Sequence, residues 1–189
     1  MDKRFHFSRI MTVGLILAVA IGAAGVIVFV SGRGASADLD GNSLSETYTL
    51  NKGVVDVRVR NKLIWQSDSA WRVTDFSLAD VTNDGTSDLS LSVWKAGNFG
   101  SSKPFWIEEN DMSVKNHFFV FDLVNGEMRA IWQSSNLEAP NCSFEVRDIN
   151  VDGQNELLTV EGDYADAPNC IPRAKGVWKW NGWGFAREE

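Results

Sequence analysis

The segment DVTNDGTSDL (Asp80–Leu89) recurs as DINVDGQNEL (Asp148–Leu157), 68 residues further on. A second string, IWQS at Ile64–Ser67, recurs at Ile131–Ser134 with a shift of 67. Two matches in the same order at almost the same offset mark an internal duplication, with units spanning about 54–115 and 116–189. Around both copies apolar and polar residues alternate, the period of strands with one buried face. Strands are expected at 54–60, 63–66, 73–81, 88–94, 118–123, 128–132, 144–149, 157–161 and 177–180. Asn125-Gly126 and Asn181-Gly182 are hairpin turns of the type that favours Asn-Gly. From residue 47 onward no stretch shows a 3.6-residue period. The expected fold is therefore all-β, built of duplicated antiparallel units.

Within each repeated segment the acids fall at alternate positions ahead of a glycine. A hard divalent cation takes several oxygen ligands from a short loop, and the pattern D-x-[ND]-x-D-G-x-x-[DE] supplies them. Side chains at the first, third, fifth and ninth positions converge, the glycine permits the sharp bend, and the seventh position offers its carbonyl. The second copy fits throughout with Asp148, Asn150, Asp152, Gln154 and Glu156. The first has Asp80, Asp84, Thr86 and Asp88, but its third position is Thr82, a poorer ligand. These residues are the candidate sites for two Ca²⁺ ions, the second copy fitting better. An EF-hand is excluded, because its twelfth-position Glu is replaced by Leu91 and Thr159 and its helices by strands. The plainer alternative is a pair of tight Asx turns, which Asp, Asn and Gly also favour.

With Phe76 and Phe144 four residues ahead of their first aspartates, the two segments resemble the FG-GAP / VCBS type of repeat found in integrin-like β-propellers. The resemblance implies that each Asp loop joins two strands of a blade and binds Ca²⁺, and that the assembled surface binds partners. Propellers of that kind have four or more blades, whereas two units and a leading hairpin are visible here. A partial or compact propeller-like stack, or one completed by another chain, is the expectation.

The start of the chain is different. Met1–Arg9 carries three bases against Asp2, and Ile10–Val30 is uncharged over a length of about 31 Å as a helix, enough to cross a bilayer. Residues 1–9 are read as a cytoplasmic basic tail, 10–31 as a transmembrane anchor and 32–46 as a flexible stalk. The basic flank places the domain at 47–189 outside, periplasmic or on the cell surface. Ala35-Ser36-Ala37 also resembles a signal-peptide cleavage site, so an anchor and a cleaved leader both fit. Setting aside Asp2 and the four bases up to Arg33 leaves 24 acids and 14 bases, a balance near −10. That sign excludes nucleic acid as a partner. The two cysteines, Cys142 and Cys170, are expected to form a disulfide in an oxidising compartment.

Eight tryptophans suit packing between sheets more than an exposed platform. Phe105 and Trp106, in the long connection from 96 to 116, are the candidate exposed ligand surface. His117 opens an apolar strand and is read as structural. The acids Glu108, Glu109 and Asp111, or Asp163 and Asp166, are the available catalytic carboxylates, and no hydrolase motif accompanies them. The expected function is a membrane-anchored, calcium-binding module for protein or glycan, without catalysis. The alternatives are a structural subunit of a membrane complex, self-association, and a hydrolase of wall polysaccharide.

Overall fold

The structure, a computed structural model, describes residues 34–98, 109 and 111–188. It is all-β, with three antiparallel sheets of four strands each. The first contains β1 (Gly34–Ala37), β2 (Glu46–Asn51), β3 (Val54–Val59) and β4 (Lys62–Gln66). The second contains β5 (Arg72–Ala79), β6 (Asp88–Ala96), β7 (Val114–Val124) and β8 (Glu127–Gln133). The third contains β9 (Asn141–Arg147), β10 (Glu156–Glu161), β11 (Ala174–Trp180) and β12 (Phe185–Arg187). Every strand pairs with its neighbour in sequence, so each sheet is a simple meander.

The sequence repeat is phased differently from the sheets. IWQS ends β4 and again β8, and the Asp loops join β5 to β6 and β9 to β10. Each string therefore marks one fixed place in a four-strand unit, and the structure has three such units rather than two. The stretch read as a flexible stalk is also different. Its residues form β1, paired with β2 from Gly34↔Thr49 to Ala37↔Glu46, followed by a third acidic loop. Small polar residues suggested a linker there, but edge pairing needs only backbone groups.

The second sheet lies in the middle and is buried on both faces. One face of β6 and β7, with Leu89, Leu91, Val93, Phe119 and Phe121, packs on Tyr48, Val55 and Val57 of the first sheet. The other face, with Phe118 and Val120, packs on Val146 and Leu157 of the third. That is why HFFVF in β7 is a continuous apolar run rather than an alternating one. The outer face of the first sheet is polar, with Thr47, Asp56 and Arg58. The repeat-equivalent tryptophans do the same work at successive interfaces. Trp65 packs on Phe121 at 5.3 Å and Trp132 on Phe185 at 5.2 Å.

Hairpin geometry follows the local sequence. Asn125 and Gly126 both have positive φ, as do Lys52-Gly53 and Arg60-Asn61, matching the mirror-image turns that suit twisted strands. At Asn181-Gly182 only the glycine does. There the loop is longer, closed by Asn181 N donating to Gly184 O and by Asn181 Oδ1 accepting from Trp183 and Gly184.

Among the described residues no helix is long and apolar enough to cross a membrane. The anchor assigned to 10–31, the basic tail, and Phe105 and Trp106 all lie outside the described residues.

Candidate cation-binding loops

Three loops, not two, share one backbone. In each, the fourth and sixth residues have positive φ: Gly41 and Ser43, Asn83 and Gly85, Val151 and Gly153. The first aspartate accepts hydrogen bonds from the fifth and sixth N–H groups in all three. Asp38 takes Asn42 and Ser43, Asp80 takes Asp84 and Gly85, and Asp148 takes Asp152 and Gly153. The fifth side chain then accepts from the seventh N–H: Asn42 from Leu44, Asp84 from Thr86, and Asp152 from Gln154. The ninth acid turns back to the second N–H: Glu46 to Leu39, Asp88 to Val81, and Glu156 to Ile149. Bends of this sort need left-handed backbone, which glycine adopts without strain.

The loop joining β1 to β2 was hidden in the sequence. It runs D-L-D-G-N-S-L-S-E from Asp38 to Glu46, with glycine at the fourth position and serine at the sixth. Its distance to the next copy is 42 residues rather than 68. The difference arises because β2 and β3 are joined by a tight turn, whereas β6 and β7 are separated by residues 97–113. An acid at the first, third and ninth positions was the available signal.

The loops differ in what their acids meet. In the first, carboxylate oxygens of Asp38, Asp40 and Glu46 all lie within 4.8 Å of one another. Glu46 is completely buried, its Oε2 accepts from Leu39, and its Oε1 has no hydrogen-bond partner. Burial, reinforced by Asp40 and Asp38, raises the Glu46 carboxyl above its usual range. The buried Tyr48 hydroxyl beside it also lacks a partner and is raised, by burial first and then by Glu46. Asp40 Oδ2 accepts in addition from Gly126 N, which ties this loop to the β7–β8 turn of the second sheet.

In the second loop Asp88 is likewise fully buried. Its Oδ2 accepts from Val81 N, Thr82 N and Thr82 Oγ1, and its Oδ1 is without a partner. Burial outweighs those three donors and pushes its pKa up to about 7. Thr82 therefore spends its hydroxyl on Asp88, and Thr86 Oγ1 bonds Asp84.

In the third loop a lysine stands among the acids. Lys179 Nζ from β11 lies 3.0 Å from Glu156 Oε1, 3.4 Å from Asp152 and 3.2 Å from Glu188. Those hydrogen bonds, that to Glu156 first, raise the ammonium's pKa. Asn150 Nδ2 points to Asp152 and Glu156, at 3.0 and 3.4 Å. The loop that fitted the motif best in sequence thus already holds a positive charge of its own.

The second and third loops are joined directly. Asn83 exchanges two hydrogen bonds with the backbone of Asn155, and Asn155 Nδ2 donates to Asp80 O at 2.8 Å. With the Asp40–Gly126 bond, this puts all three loops at one end of the stack. The connections 134–140 and 162–173 consequently lie at the other end, where Cys142 and Cys170 are disulfide-bonded.

Of the acids read as available carboxylates, Glu108 lies outside the described residues, while Asp163 and Asp166 have local partners. Asp163 caps the short 3-10 turn Tyr164–Asp166, and Asp166 receives the Arg173 guanidinium at 2.8–3.2 Å. His117 is fully buried, with Nδ1 3.0 Å from Ser134 O, and burial lowers its pKa. No protein-family profile, curated protein or solved structure matches this chain.

Proposed function

We propose that this chain is a non-catalytic binding module on the outer side of a cytoplasmic membrane, held there by residues 10–31 and stabilised by Ca²⁺ at its acidic loops. The observation that carries the reading is the meeting of Asp38, Asp40 and Glu46, with a buried Glu46 oxygen that no protein group satisfies. Leaving such an oxygen unpaired is costly, and a hard cation with oxygen ligands removes that cost. Asp88 of the second loop offers a second oxygen of the same kind. In the third loop Ca²⁺ competes with Lys179. The likeness of the loops to FG-GAP / VCBS repeats supports calcium over magnesium, and the disulfide supports an oxidising compartment. Protein or glycan partners then bind a stack whose sheets the cation locks at one end.

The test is calorimetric titration of CaCl₂ into the metal-stripped full chain in mild detergent, alongside Asp40→Asn and Glu46→Gln. Binding in the wild type whose first-loop share is lost in both variants is the expected result. A folded wild type that gives no heat and melts at the same temperature with calcium or chelator would overturn the proposal.

A further inference from the structure

A cleft of about 570 Å³ opens between the second and third sheets, running along β10 from Leu157 to Glu161 and on to Tyr164. Its walls come from β8, the 134–140 connection, β10, β11 and β12. Trp132, Trp178 and Tyr164 supply aromatic surface, and the charged lining is three acids, Glu138, Glu161 and Asp163, against the single base Arg187.

Glu161 is only 7 % exposed and is built into place. Its Oε1 accepts from Thr159 Oγ1 at 2.9 Å, and that hydroxyl accepts in turn from Trp178 Nε1 at 3.1 Å. A side chain at position 176 would destroy this arrangement, because a Cβ there would collide with Glu161, Thr159 and Trp178. The remaining oxygen, Oε2, faces the guanidinium of Arg187 at 3.3 Å. That same guanidinium lies 5.3 Å from the centroid of the Trp178 ring. Carboxylate on one side and indole on another is the chemistry that holds an organic cation.

Arg187 also donates to Lys175 O at 3.2 Å, but it is a partly solvated occupant. It sits on a three-residue edge strand, and its side chain is 48 % exposed. The cleft is also far larger than one guanidinium needs.

We propose that this cleft receives an arginine or lysine side chain from a basic peptide segment of a partner protein, in competition with the chain's own Arg187. Aromatic walls with polar groups also suit a neutral saccharide. The charge decides between them: three acids to one base in the lining, and −7 over the chain, attract a cation. The inference goes beyond the calcium reading and does not depend on it, since no acid of the three loops lines the cleft.

The experiment is calorimetry on the full chain, with and without calcium, using an acetylated and amidated Gly-Arg-Gly peptide, its Gly-Glu-Gly counterpart and cellobiose. The arginine peptide is expected to bind and the other two not. Glu161→Gln should weaken that binding about tenfold or more, as loss of a desolvated charge partner does. Arg187→Ala should strengthen it several-fold by removing the internal competitor. Binding indifferent to both substitutions, binding of cellobiose in place of the peptide, or no binding of the arginine peptide to wild type and Arg187→Ala alike would each overturn the proposal. Should Glu161→Gln fail to fold, the direction of the Arg187→Ala effect decides alone. A calcium titration that fails while the peptide result holds would remove only the cation-loop reading.

Discussion

Asp88→Asn is the most informative single change in the second loop. The carboxyl is fully buried and its pKa rises from 3.8 to about 7 in the folded chain. A raised acid binds more protons folded than unfolded between those two values, so stability falls as pH rises through that window and levels off above about 7. At about 1.4 kcal/mol per pH unit, the full penalty above pH 7 is about 4 kcal/mol. The asparagine keeps an oxygen for Val81 N, Thr82 N and Thr82 Oγ1 but places an unpaired amide where Oδ1 now lies, at a cost of about 1–3 kcal/mol. In chelator at pH 8 the variant is therefore expected to be more stable than wild type by roughly 1–3 kcal/mol. At pH 5 the wild-type carboxyl is protonated when folded and much of the penalty has gone. The advantage of the variant should then shrink by about 2–3 kcal/mol, a difference in which the constant amide cost cancels. Urea unfolding of the full chain in mild detergent at both pH values measures it. A stability difference that does not change with pH would refute the reasoning, whichever protein is the more stable. With millimolar calcium at pH 8 the order should reverse, since the cation stabilises only the carboxylate form.

Two further outcomes follow from the loops and the disulfide. Cys142→Ala with Cys170→Ala opens a closure of 28 residues and should cost about 3–4 kcal/mol by the chain-entropy account, read as a lower urea midpoint that reducing agent reproduces in the wild type. Lys179→Met leaves the buried Glu156 beside Asp152 and Glu188 without their cation, so the melting temperature should fall in chelator and rise more steeply with calcium than it does in the wild type. Equal calcium responses would show that the third loop takes no ion in either protein.

Alternation along the chain was enough to locate most strands, because a half-buried strand must present every second side chain to its neighbour. It served for β3 and for β9. It served less well for β7, where burial on both faces makes HFFVF continuous, yet the flanking turns still bounded it. The Asp-Gly segments were legible as loops because the left-handed residues they need are chemically restricted. The first loop escaped because Ser43 adopts positive φ in place of glycine and because Asp38–Glu46 is otherwise composed like a linker.

The amino-acid sequence by itself determined the all-β class, its short antiparallel strands, the repeat-equivalent packing roles of Trp65 and Trp132, and two of the three acidic loops. These are set by neighbours in the chain, through side-chain period and backbone φ preference. Only the tertiary structure decided that there are three sheets, that Glu46 and Asp88 each keep an unpartnered buried oxygen, and that Lys179 already stands in the third loop. Arg187 over Glu161 and Trp178 belongs with these. Each depends on which residues distant in sequence share one low-dielectric space, where burial and counter-charge set the chemistry. No local spacing encodes that.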